Sequence, residues 1–139
     1  MKQVLIKMTS IQVAEDDKNE TELTTEGSFE RLGSTWKISY EDSSATGFEG
    51  SVTTIEVDGS KMVSIERTGT SASNLMIEKG KKHYCLYDTP YGDMTVGIFT
   101  HQIQNHLNDA GGTLHFKYTV DINSAFMSDN EIYLDVQDL

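Results

Sequence analysis

The run Thr113-Leu114-His115-Phe116-Lys117-Tyr118-Thr119-Val120-Asp121-Ile122 decides the fold. Leu114, Phe116, Tyr118, Val120 and Ile122 fall on one side of an extended chain, and Thr113, His115, Lys117, Thr119 and Asp121 fall on the other. Successive side chains of a strand point to opposite faces, so this alternation is that of a strand with one wet face and one dry face. Residues 131–137 repeat it, with Ile132, Leu134 and Val136 inward and Glu131, Tyr133, Asp135 and Gln137 outward. Upstream, residues 35–41 set Trp36, Ile38 and Tyr40 on one face, and residues 22–30 set Leu23 and Phe29 against Glu22, Glu26 and Glu30.

Less regular strands are expected over 3–13, 51–57, 61–68, 73–79, 82–89 and 93–107. In 3–13 the apolar parity changes near Ser10, from Val4, Ile6 and Met8 to Ile11 and Val13. In 93–107 it changes from Met94, Val96 and Ile98 to Ile103 and Leu107. A switch of parity inside a strand predicts a bulge or a bend, the device by which a strand turns the corner of a barrel. Turn chemistry separates the strands: Asp16-Asp17-Lys18-Asn19, Ser43 to Gly50, Asp58-Gly59, Gly80, Pro90-Tyr91-Gly92, Gly111-Gly112 and Ser128-Asp129-Asn130. Asp58-Gly59 is the pair that favours a tight two-residue hairpin. Short turns between successive strands give antiparallel neighbours. The expected fold is therefore all-β, an antiparallel meander. With about 8–10 strands it closes into a barrel, because an open sheet of that size would leave long edges. Little or no helix is expected; residues 101–110 are the best helical window, and they continue a strand equally well.

The 139 residues form a single domain, 1–139, long enough for one real core. Cys85 is the only cysteine, which excludes an internal disulfide and suits a reducing, cytoplasmic setting. No stretch reads as a signal peptide or approaches the roughly 20 apolar residues of a membrane helix. A net charge of −11 repels phosphate backbones and anionic lipid surfaces, so neither nucleic acid nor membrane is an expected partner. The histidines, at 83, 101, 106 and 115, lack the spacing of a metal site, and no metal or cofactor is expected. No phosphate loop, GxGxxG or GxSxG is present, and no carboxylate pair or Cys/His pair stands out, so no catalytic residue is named. The oligomeric state has no signature in the sequence.

Arg67 breaks the pattern of its strand. It shares parity with Val63 and Ile65, so it either points toward the core or the barrel mouth, where it needs partners, or ends the strand and reaches solvent. Tyr40, Tyr87 and Tyr118 combine apolar rings with polar tips.

Several motifs in order, Arg67-Thr68-Gly69, Tyr87-Asp88-Thr89-Pro90-Tyr91-Gly92, Thr100 and Gly112 through Tyr118, resemble the YwiB-like family of small Gram-positive bacterial proteins, a domain-of-unknown-function family. Thr25-x-Gly27 and Ile38-Ser39-Tyr40 extend the resemblance over almost the whole chain. The resemblance implies a lipocalin-like, calycin-type barrel with no established activity. The Gly-x-Trp of the lipocalin first strand has no counterpart, since Gly33 and Trp36 are separated by two residues and Trp36 sits in the third strand. Strand parity and this resemblance together name Tyr40, Arg67, Tyr87 and Tyr118 as the lining of a pocket for a small apolar or amphipathic ligand, with Arg67 able to pair an acidic head group. The alternative is a structural or protein-interaction module whose barrel is filled by side chains.

Overall fold

The computed structural model describes residues 2–42, 49–69, 73–89 and 92–139, and within these it does not describe the side chains of 73, 85–89 and 92–94. Ten strands follow one another: β1 Lys2–Ala14, β2 Asp17–Leu32, β3 Thr35–Glu41, β4 Ser51–Asp58, β5 Met62–Gly69, β6 Ser73–Glu78, β7 Lys82–Thr89, β8 Gly92–Asn108, β9 Gly111–Ile122 and β10 Ala125–Asp138. No helix occurs among the described residues, and none there is long and apolar enough to cross a membrane.

The strands lie in the order β6-β5-β4-β3-β2-β1-β10-β9-β8-β7. All neighbours are antiparallel, and β1 pairs with β10 from Val4↔Asp138 to Val13↔Asp129, so the two ends of the chain are joined side by side. The barrel is nearly closed. Its seam lies between β6 and β7, and among the described residues one parallel bridge, Lys79↔Thr100, joins the chain just after β6 to β8. Gly80 N–H donates to the Thr100 carbonyl at 3.1 Å, and Thr100 N–H donates to the Lys81 carbonyl at 3.4 Å.

Two expectations about strand shape separate. In β8 the parity switch is a bulge: Thr100 pairs with Tyr118 and Gln102 with Lys117, leaving His101 as the extra residue. The strand runs on to Asn108, and no helical turn forms in 101–110. In β1 the switch is no bulge, because its register with β2 and β10 is unbroken. Ile11 and Val13 simply lie on the outer face, opposite Glu131 and Asp129, and Val13 is 38% exposed. The expected turn at Ser128-Asp129-Asn130 is also strand; the chain reverses earlier, at Asn123-Ser124. Both of those residues have positive φ (51° and 70°), as a tight primed hairpin turn requires. Ser128 instead follows a register shift in β10. The hairpin at Asp58-Gly59 is one residue longer than a two-residue turn, with Asp58 paired to Met62. The turns expected at 43–50 and 90–92 fall mostly outside the described residues.

Inside, the alternating faces meet. Val4, Ile6, Ile38, Val57, Val63, Ile77, Leu114, Phe116, Leu134 and Val136 are buried almost completely. Each such side chain contributes roughly 1.5–3 kcal/mol when taken from water.

Candidate functional site

Register converts this core into layers. Trp36 pairs with Val57 and Val57 with Val63; one step along, Ile38 pairs with Ile55 and Ile55 with Ile65. The next inward-facing layer is Tyr40, Thr53 and Arg67, paired across the same three strands. Two apolar layers thus give way to a polar one at a single register position. Beyond it, Asp42 N–H donates to the Ser51 carbonyl at 2.8 Å, which extends the ladder by one rung.

These polar groups bind one another. Thr53 Oγ1 donates to Asp42 Oδ2 at 2.7 Å, and Arg67 Nε lies 3.2 Å from Thr53 Oγ1 and 3.4 Å from Asp42 Oδ2. The Asp42 side chain is fully buried and that of Arg67 is 19% exposed, so the pair is largely withdrawn from water. The cost of burying a charge is offset in part by the opposite charge and the hydroxyl beside it. Tyr40 is buried, and its phenol is pushed above its ordinary pKa chiefly by burial and next by the nearby Asp42, with a Thr53 hydrogen bond and Arg67 opposing. It therefore remains a protonated hydroxyl near neutrality.

A cavity of about 270 Å³ lies against this layer. On one side Tyr40, Thr53 and Arg67 meet Ile55, Ile65 and Leu75 of β4 to β6. On the other side Met8, Ser10, Phe116, Tyr118, Ile132 and Leu134 are contributed by β1, β9 and β10. An apolar body with a few convergent polar groups at one end is the usual make-up of a small-molecule site. Thr100, opposite Tyr118 in register, is fully buried, and its hydroxyl has no hydrogen-bond partner among the described residues. A depression of about 670 Å³ on the outer wall is larger. It is an open notch at the point where β2 parts from β3 beyond Ser28↔Ser39, walled by Thr25, Gly27 and Ser28 and flanked by Glu26 and Glu41, and it offers little apolar surface for a small ligand to bury.

Of the residues named from sequence, Tyr40, Arg67 and Tyr118 are brought to one cavity. Tyr87 lies in β7, but its side chain, like that of Cys85, is outside the described ones. Of the two readings of Arg67, the partnered one is observed. Thr53 and Asp42 were missed, although the signal was present: Thr53 shares parity with Ile55 and Val57, and Asp42 with Ile38 and Tyr40.

Elsewhere, His101 Nε2 is 2.6 Å from Thr119 Oγ1, which donates to Asp129 Oδ1 at 2.7 Å. The hydroxyl stands between acid and imidazole, whereas a nucleophilic triad needs the imidazole in the middle. No three His, Cys, Asp or Glu side chains converge as metal ligands among the described residues.

The family model described as a domain of unknown function, DUF1934, matches residues 6–134. The fold is similar to that of the crystal structure of the ywiB protein from Bacillus subtilis, with a TM-score of 0.72 and 16% identity over 96% of this chain and 91% of that one. At that identity the likeness shows the fold alone. No curated protein matches the chain.

Proposed function

The chain belongs to the DUF1934 family, and on that premise we propose that it is a bacterial, cytoplasmic binding protein of calycin type that holds a small amphipathic ligand inside its barrel. The observation that carries this is the change of layer: side chains fill the barrel at the Trp36–Val57–Val63 layer, while about 270 Å³ remains between Ile55 and Ile65 of the next layer and the Tyr40–Thr53–Arg67 layer. A cavity of about 150 Å³ suffices for benzene, so this one suits a substituted aromatic or a short branched chain. The ligand's apolar body lies against Ile65, Leu75 and Leu134, and its polar end meets Tyr40 and Arg67. The net charge of −11 disfavours nucleic acid and anionic lipid as partners, which is consistent with a small-molecule ligand.

The test is the native mass of protein purified without denaturation, compared with its denatured mass. A reproducible extra mass that leaves on unfolding supports the reading. A bare chain that also takes up no small aromatic probe contradicts it and favours a filled barrel whose surface carries the function.

A further inference from the structure

Among the described residues, the cation at the polar end of the cavity already has a carboxylate partner before any ligand arrives. Arg67 faces the cavity, and Asp42, which does not line it, sits behind with its side chain fully buried. Thr53 binds both of them, donating to Asp42 at 2.7 Å with Arg67 Nε at 3.2 Å. The cation that the sequence alone offers to an acidic head group is thus already matched to a carboxylate. A second carboxylate entering beside Arg67 would give up its hydration and share one guanidinium with a buried anion, in a setting where like charges are weakly screened. A neutral hydroxyl, carbonyl or amide meets no such opposition. It finds the Tyr40 phenol, and on the facing strands it finds Ser10 and Tyr118.

We infer that the ligand is an uncharged amphiphile, an apolar body ending in a neutral hydrogen-bonding group, selected against the corresponding carboxylate by the Asp42–Arg67 pair. The inference rests on the ligand-binding reading above and can fail separately from it.

Calorimetric titration of the whole protein at neutral pH with two matched probes, 2-naphthol and 2-naphthoate, decides it. The expected result is 2-naphthol binding tighter by about tenfold or more. Asp42→Asn, which keeps the shape and removes the charge behind Arg67, is expected to shift that ratio toward 2-naphthoate by about the same factor. If 2-naphthoate binds the unaltered protein as tightly as 2-naphthol, the head-group inference is overturned while the binding site stands. If neither probe binds, both fall. The ratio on the unaltered protein can overturn the inference even if the variant does not fold, and an Asp42→Asn protein that folds with an unchanged ratio overturns the role of the pair.

Discussion

Gly27 shows how closely the strands of this barrel approach. A Cβ there would run into the Ser39 carbonyl and come within 2.6 Å of Ile6 Cδ1, and the first of these is backbone that cannot step aside. Gly27→Ala is expected to cost about 1–3 kcal/mol, read as a lower urea midpoint with an unchanged slope. An unchanged midpoint would mean that β3 shifts aside just past its last rung with β2, Ser28↔Ser39. Arg67 carries a second prediction. Arg67→Met removes the cation beside buried Asp42 and is expected to cost about 3 kcal/mol, and adding Asp42→Asn is expected to recover at least half of that. If the double variant is no better than the single one, the ion pair is not what Arg67 supplies. Arg67 was also the residue most legible from sequence, because a charge at apolar parity is informative. Thr53 gave a weaker signal: its parity places it inward, but a threonine fits a strand whether or not its hydroxyl has work to do.

At the scale of the strand, β9 and β10 carry a compact outer cluster. Glu131 accepts from the Tyr133 hydroxyl at 2.5 Å and pairs with His115 Nε2 at 2.7 Å, while the rings of His115 and Tyr133 stack at 4.0 Å. The Tyr133 hydroxyl first, then His115 and Lys117, hold the Glu131 carboxyl below its usual range against the opposing effect of burial. A carboxyl with a depressed folded-state pKa stabilises the fold above its unfolded pKa of about 4.3, and that stabilisation fades as pH falls through the lower folded value. The stability difference between the native chain and Glu131→Gln should shrink as pH falls below about 4.3; near the surface its size stays under about 1 kcal/mol. A difference that does not change with acid would mean that the carboxylate is not what holds the cluster. Parity read the strands well but could not separate a bulge from a stray outward apolar residue. His101 is a true extra residue in β8, whereas Ile11 and Val13 keep register and merely face outward.

For the whole molecule, the meander could be read from turn spacing, but the place where the barrel joins could not. Pairing of β1 with β10 brings together residues at opposite ends of the chain, and no local pattern announces it. The seam moves instead to β6 and β7, neighbours in sequence that are not neighbours in the sheet. Hydrogen exchange should therefore be slowest in β1 and β10, which are paired on both sides, and faster in β6, whose ladder runs to β5 alone. Equal protection of β6 and β1 would mean that the seam closes in solution. The most direct test of the central claim, an internal site at the Tyr40–Thr53–Arg67 layer, is methyl NMR during titration with 2-naphthol. The expected result is that the largest shifts fall on Met8, Ile65, Leu75 and Leu134 around the cavity, while Val57, Val63 and Ile77 stay still in the filled part of the barrel. Shifts confined to outward residues such as Val13 and Val52, or none at all, would contradict it.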